Sequence, residues 1–422
     1  MKDSGIEWIG LIPDDWIIVK LKHLGQYING FAFKPDDWGN KGHPIIRIQD
    51  LTNSSNNTNF FEGVLPDRYL ISDGDILVSW AATLDAFVWS KGRGWLNQHI
   101  FKAVPNETLV ITEYFYWLIK EAMQNMNNDN KHGIVMQHVT LDVFDNFSVP
   151  LPSLIEQRRV AEYLKNKIKC IDRYIEKQQQ IIKKLKEYKQ AIITEAVTKG
   201  LGPNVKMKDS GIEWIGKIPE HWEIRKLRYL GSCVNGISKG GEYFGTGYPF
   251  VSYGDVYKNM ELPHNVVGLV ETTDEEREWY SVKEGDVFFT RTSETIEEVA
   301  LTSTCMQTIE NATFAGFLIR FRPNTDLLSK EFSKYYFRCS KHRLFFVKEM
   351  NLVTRASLSQ ELLKRLPVLL PAIEEQKQIA NYLDKICSNI DSVINKKQSI
   401  IDRLSEYRKS LIYETVTGKM EV

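Results

Sequence analysis

Residues 1–10, Met-Lys-Asp-Ser-Gly-Ile-Glu-Trp-Ile-Gly, return letter for letter at residues 207–216. The likeness runs on through Ile12-Pro13, Trp16, Lys20-Leu21, Leu24-Gly25 and Asn29-Gly30, which answer Ile218-Pro219, Trp222, Lys226-Leu227, Leu230-Gly231 and Asn235-Gly236. A second pair follows each repeat: Leu151-Pro-Ser-Leu-Ile-Glu-Gln157 and Leu370-Pro-Ala-Ile-Glu-Glu-Gln376, each trailed by a long helical pattern. One chain thus carries a module twice, and a doubled module implies a doubled binding surface. Whatever the copies do differently must lie in the residues that differ.

The helical patterns show the clearest periodicity. Leu164, Ile168, Ile171, Ile175, Gln178, Ile182, Leu185, Lys189, Ile192 and Ala196 step by alternating fours and threes; so do Leu383, Cys387, Ile390, Ile394, Lys397, Ile401, Leu404, Arg408, Leu411 and Thr415. The average of about 3.5 residues is that of a coiled-coil seam. Polar interruptions coincide, Gln178 with Lys397 and Lys189 with Arg408. Two seams of equal length most simply bury each other, and a globular block between them lets the second run back along the first. An antiparallel pair is expected, about 60 Å long for roughly 40 residues. Two uses stay open: a hairpin that only stabilises the fold, or a spacer that holds two modules at a set distance.

The chain divides into a block over residues 1–152, a helical segment over 153–206, a second block over 207–369 and a second helical segment over 370–422. Lys199-Gly-Leu-Gly-Pro203 must stop the first helix and Gly418 the second. The blocks read as mixed α/β. Asp73-Gly-Asp-Ile-Leu-Val-Ser79 and Glu284-Gly-Asp-Val-Phe-Phe-Thr290 are matching turn-then-strand segments. His43-Pro-Ile-Ile-Arg-Ile48 and Tyr248-Pro-Phe-Val-Ser-Tyr253 are a second matching strand pair. Capped amphipathic helices begin near Thr112 and Ser329, and Thr140 and Ser359 are further caps ahead of the long helices. Between these landmarks, Phe31 to Trp95 and Ile237 to Asn311 share little, the pattern of a common scaffold with different loops. The first repeat opens the chain as though it followed the second helix, so the C-terminus is expected near Met1. The expected fold is α/β (mixed α+β): two similar globular domains separated by two long antiparallel coiled-coil helices, an internal repeat with pseudo-two-fold symmetry.

Bulk properties set limits. At 422 residues the chain exceeds what one core usually organises. Its five cysteines are scattered without a CxxC pair, which fits a reducing, cytoplasmic location. The first residues lack a signal-peptide stretch, and the most apolar run, Ile76 to Trp89, is too short and too interrupted to span a bilayer. Net charge is zero. A chain that holds DNA unaided is usually basic, so zero charge suits one whose partners supply most phosphate contacts.

The landmarks together resemble the specificity subunit of type I restriction-modification enzymes. The resemblance rests on the Asp3-to-Gly10 opening with Ile12-Pro13 and Trp16, and on the Leu-Pro-x-x-x-x-Gln motif with Ala161-to-Leu164 or Ala380-to-Leu383 behind it. Their doubled order covers essentially the whole chain. The resemblance implies two target recognition domains, each reading half of a split, asymmetric site in double-stranded DNA. It implies helices that set the gap and dock two modification (methyltransferase) subunits, with restriction subunits joining that core. Adenine N6 methylation from S-adenosylmethionine and ATP-driven translocation with cleavage then belong to partners. This chain would bind no S-adenosylmethionine, ATP or Mg itself and perform no catalysis.

No fixed base-reading motif transfers, so candidates follow from chemistry: Arg and Lys pair with guanine, Asn and Gln with adenine. The first block offers Lys34, Arg47, Gln49, Trp80, Lys91, Arg93, Gln98 and His99; the second offers Lys239, Tyr253, Arg291, Thr292, Ser293 and Arg355. Arg47 and Gln49 would share one strand face, with Tyr253 near the corresponding place, and Trp80 and Arg291 align directly after the Gly-Asp strand. The plainer reading of each is a solvated surface group or a core-edge aromatic. Leu164, Ile168, Ile171, Ile175, Ile182, Leu185, Leu383, Ile390, Ile394, Ile401, Leu404 and Leu411 are the spacer and docking candidates. Arg158, Arg159, Lys165, Lys167 and Lys169 suit phosphates, a partner or plain solvent. Trp8 and Trp214 are core or docking anchors.

The sequence holds no phosphate loop, no Asn-Pro-Pro-Tyr or Asp-Pro-Pro-Tyr, and no metal-type histidine spacing. These gaps weigh against a duplicated nuclease or modification enzyme. A duplicated coiled-coil adaptor that binds only proteins remains the other reading.

Overall fold

The Gly74-Asp75 and Gly285-Asp286 turns set the geometry of each block. Both glycines adopt positive φ, 95° and 85°, which L side chains rarely tolerate. Each aspartate accepts the backbone N–H three residues back, from Ser72 and Lys283. The strands so launched, Ile76–Ser79 and Val287–Thr290, are buried at every residue because a core lies on either face. Ile76 and Val78 enter one core and Leu77 another; Val287 and Phe289 are likewise divided from Phe288.

The computed structural model describes residues 1–52, 58–81, 83–129, 139–293, 299–349 and 356–422. They form two compact units, residues 1–178 with 399–422 and residues 179–398. In the first, a four-stranded antiparallel sheet runs in the order Gly25–Asn29, Ile100–Pro105, Ile76–Ser79, Asp85–Val88. A second sheet pairs His43–Ile46 parallel with Gly94–Leu96. Helix α1 (Ile48–Thr52) follows the parallel strand. Helix α2 (Thr112–Asp129) covers the central sheet, burying Tyr114, Phe115 and Leu118 against Val78 and Phe101. Burial of each such side chain contributes roughly 1.5–3 kcal/mol. Helix α3 (Leu141–Asn146), capped by Thr140, leads through the Ser148–Leu151 strand into α4 (Leu154–Lys199).

The second unit repeats this plan. Its antiparallel sheet runs Gly231–Asn235, Leu318–Pro323, Val287–Thr290, Thr302–Thr304, and Phe244–Val251 pairs parallel with Thr313–Phe314. Its helices are α5 (Tyr253–Lys258), α6 (Asp274–Trp279), α7 (Lys330–Tyr336), α8 (Lys341–Glu349), α9 (Gln360–Lys364) and α10 (Ile373–Val416), with Ser329 and Ser359 capping α7 and α9. The block interiors, so unlike in sequence, therefore share their strand order. Main-chain hydrogen bonds build the sheet and do not ask which side chains ride on it.

α4 has 46 residues and α10 has 44, about 69 and 66 Å of axis. They run antiparallel within each unit. In the first, the Tyr163 hydroxyl meets Met420 and Asp172 meets Arg408 at 3.1 Å. In the second, Lys189 meets Asp391 at 2.7 Å and Gly200 faces Glu375. The polar interruptions Lys189 and Arg408 thus become equivalent ion pairs. Leu164, Ile168, Ile171, Gln178, Ile182, Leu383, Cys387, Ile390, Ile401 and Leu411 are buried, while Ile175, Leu185, Ile394 and Leu404 are half-buried.

The Leu-Pro-x-x-x-x-Gln motif has a mechanical explanation. Gln157, fully buried, accepts the Ile111 N–H at 2.9 Å and donates to Leu109 O and Pro152 O at 3.0 Å each. Gln376 does the same with Ser329 N–H, Leu327 O and Pro371 O. Each glutamine ties the start of a long helix to the loop before α2 or α7. The C-terminal residues lie beside the first ones, as expected: the Tyr413 hydroxyl donates to Trp8 O at 3.0 Å, and Gly418 sits against Pro13 and Trp16. Trp8 stacks on Phe147 at 5.4 Å, and Trp214 meets His342 edge-on at 5.5 Å, so both tryptophans pack against a core.

Candidate nucleic-acid interface

Two backbone slots recur in both units. After the central strand the chain turns outward at Trp80 in the first and Arg291 in the second. The carbonyl at each accepts an N–H from the residue before a helix cap, Val139 onto Trp80 at 2.9 Å and Leu358 onto Arg291 at 2.7 Å. The second slot lies just before the Ile100–Pro105 or Leu318–Pro323 strand and displays His99 or Phe317. Tight crossings fix its loop. A Cβ on Gly30 would meet Asn97 O at 2.0 Å, and one on Gly236 would meet Phe314 O at 2.2 Å, so only glycine permits the approach. Gln98 N–H bonds Phe31 O in the first loop and Gly316 N–H bonds Ile237 O in the second.

The slots are neighbours. The Trp80 and His99 rings lie 5.7 Å apart, with Gln98 Nε2 3.4 Å from His99 Nε2. The Arg291 N–H donates to Phe317 O at 2.9 Å. Three candidates of the first block, Trp80, Gln98 and His99, are thereby brought together. In the second, Arg291 is joined by Phe317, a residue 64% exposed that sequence reasoning missed. Aligning Ile100 with Leu318 would have found it, because His99 and Phe317 each precede the same strand. Thr292 is half-buried and pairs in the sheet with Ser357, as Ser293 does with Ala356. The Ser293 side chain and all of Arg355 fall outside the described residues.

A second group gathers around Asp50. The Arg47 guanidinium lies 5.3 Å from the Trp38 ring, and Lys91 Nζ donates to Asp50 O at 2.7 Å. Arg47 and Gln49 do not share a strand face: the strand ends at Ile46, and Gln49 lies in α1. The cause is the Asp50 carboxylate, which accepts the Arg47 N–H at 2.9 Å and starts a helical turn, as Asp255 does with Ser252 at 2.8 Å. Arg47 therefore corresponds to Ser252, and Tyr253 to Ile48, the first residue of each helix. Tyr253 stacks on Tyr257 at 5.9 Å.

Lys239 serves its own fold. Its Nζ donates to Glu276 at 2.7 Å and to Glu271 O at 2.8 Å, beside the Tyr243 ring. That ammonium holds the Glu276 carboxyl below its usual range. Lys34 and Arg93 are exposed.

A cation ties the equivalent helix to the sheet in each unit, buried at Lys120 and half-buried at Arg338. Lys120 donates to Asp85 and to Ala86 O, and at the equivalent place Arg338 donates to Thr302 O. The longer, forked guanidinium also reaches Val256 O, Tyr257 O and Asn259 O, the closing carbonyls of α5. Sequence inspection did not single out either residue. Among the described residues no group of three or more His, Cys, Asp or Glu could hold a metal, and no helix is long and apolar enough to cross a membrane.

Known proteins share this architecture. The family profile described as "Type I restriction modification DNA specificity domain" matches residues 13–187 and again 219–401. The type I restriction enzyme EcoBI specificity subunit of Escherichia coli is 22% identical over 99% of this chain and 89% of its own length. The MjaVIII specificity subunit of Methanocaldococcus jannaschii is 23% identical over 97% and 94%. A solved chain described as "Structural basis underlying complex assembly and conformational transition of the type I R-M system" superposes with a TM-score of 0.73 at 16% identity, covering 97% of this chain and 100% of that one. The HsdS subunit from Thermoanaerobacter tengcongensis gives 0.50 at 17% identity with full coverage of both, 100% each.

Proposed function

This chain belongs to the type I restriction modification DNA specificity family, and from that premise we propose that each unit reads one half of a split, asymmetric DNA site. One observation carries the division of labour. The same backbone slots recur in both units, yet they display Trp80 and His99 in one and Arg291 and Phe317 in the other. A shared frame with different reading groups suits two unlike half-sites.

The long helices set the gap between the halves and dock two modification subunits, with restriction subunits joining that core. Chemistry resides in these partners: adenine N6 methylation from S-adenosylmethionine, and ATP-driven translocation with cleavage. The specificity chain is the non-catalytic member and works in the cytoplasm. Its zero net charge supports shared phosphate contacts, since neutralising phosphates dominates DNA affinity.

The test is a base-modification map of DNA from cells carrying this chain and a cognate modification subunit, with and without the gene. Gene-dependent N6-methyladenine in a split motif is the expected result. Exchanging residues 222–367 for those of a relative should then change one half-site only. Methylation that persists unchanged without the gene, with no modification subunit captured by the chain, would favour the protein adaptor.

A further inference from the structure

We propose that Arg291 and Phe317 form the base-contact pair of the second unit. The guanidinium takes a guanine edge in the major groove, and the ring takes the 5-methyl of a thymine in the adjacent base pair. Trp80 and His99 form the corresponding pair of the first unit. The inference rests on the reading of the units as half-site readers and deepens it by naming the groups and the bases.

The first support is preorganisation. The Arg291 backbone is held on both sides, its N–H by Phe317 O and its carbonyl by Leu358 N–H. Its guanidinium has no hydrogen-bond or ion-pair partner among the described residues. The backbone is already fixed before binding, the planar five-donor fork loses less freedom per hydrogen bond formed than a flexible ammonium would, and it matches guanine O6 and N7.

Phe317 is the second. A lone exposed aromatic is ordinary on a protein surface. This one projects from a loop that cannot relax inward: Ala315 N–H is tied to Val251 O, Gly316 N–H to Ile237 O, and a Cβ on Gly316 would stand 2.3 Å from the Ser238 hydroxyl. The ring is thus held in water by a rigid frame. A thymine methyl is the apolar group that the major groove offers it.

The third is spacing and recurrence. Backbones joined by such a hydrogen bond lie about 5 Å apart, so two side chains can meet base pairs stacked roughly 3.4 Å apart. The first unit builds the same slots from unrelated residues, with Val139 holding Trp80 where Leu358 holds Arg291. A geometry kept while its side chains change is what a reading position requires.

The experiment maps the methylated motif and its rate for the full chain assembled with its modification subunits, using Arg291→Gln, Phe317→Ala and Phe317→Leu. Arg291→Gln should move one position of one half-site from guanine toward adenine and slow methylation of the original site about tenfold, about 1.4 kcal/mol. Phe317→Ala should relax the thymine preference at the adjacent position. Phe317→Leu, which keeps an apolar surface, should retain most of it. The other half-site and the gap should stay as they were. Assembled variants that methylate the wild-type motif at the wild-type rate would overturn the proposal, as would changes in the other half-site. If the wild-type chain directed no split motif, the failure would lie with the proposed function itself.

Discussion

Replacing Gln157 with alanine removes one side chain and three hydrogen bonds. The Ile111 N–H loses its acceptor, and Leu109 O and Pro152 O lose their donor, in a site with no solvent exposure. At about 1 kcal/mol net for each bond, the cost is about 3 kcal/mol, before any cavity term. The loss should concentrate where the glutamine acts, at the first turn of α2 and the start of α4, and leave the second unit alone. Hydrogen exchange with mass spectrometry reads this directly, because protection follows the local opening free energy. About 3 kcal/mol is roughly a hundredfold faster exchange in peptides covering residues 109–119, with residues 327–336 unchanged. Gln376→Ala should give the mirror image, through Ser329, Leu327 and Pro371. A change below about fivefold, or equal loss in both units, would show that the motif does not clamp locally and that these buried bonds are replaced at little cost.

Three further outcomes follow from the packing. Asp172→Arg and Arg408→Asp should each cost no more than about 1 kcal/mol and together restore most of it, since the pair is partly exposed; a cycle measured by urea unfolding with no coupling would remove the ion pair from the account of the seam. His342 sits fully buried against Tyr336 and Trp214, and that burial pushes its pKa down to about 4. The unfolded chain therefore takes up a proton that the folded one refuses. The associated stability is full above about pH 6.5 and is lost toward pH 4 at about 1.4 kcal/mol per unit, so His342→Phe should flatten the acid limb of unfolding in the second unit, and an unaltered slope would contradict this. Arg338→Lys should keep the bond to Thr302 O, as Lys120 keeps its own to Ala86 O, but free the last carbonyls of α5. That should cost about 2 kcal/mol and speed exchange in α5; exchange as slow as in the wild type would refute the clamp.

Several parts of the candidate site lay beyond sequence reasoning for a common reason. The apolar run His43 to Ile48 reads as a strand that would carry Gln49 beyond it, but Asp50 competes for the Arg47 N–H and turns the chain into a helix. In sequence Lys239 reads as available for DNA, but in the fold its ammonium is taken up by Glu276 and Glu271 O. Phe317 has no signal in its own neighbourhood and shows only when Ile100 is aligned with Leu318, since its meaning depends on the strand that follows and on a crossing near Gly236. Arg338 is an ordinary arginine until the fold lays the end of α5 beneath it.

The duplication, the coiled-coil seams, the helix stops and the Gly-Asp turns were determined by the sequence alone. Their signals are local: contacts three and four residues apart imprint a period, and a turn's dihedral demands a glycine at one position. Which side chains stand together was decided only by the tertiary structure. Trp80 meets His99, and Arg291 meets Phe317, through strand pairings between segments far apart in sequence. Backbone hydrogen bonds set those pairings with little regard for side-chain identity, so two blocks with dissimilar interiors arrive at one frame and present different groups from it.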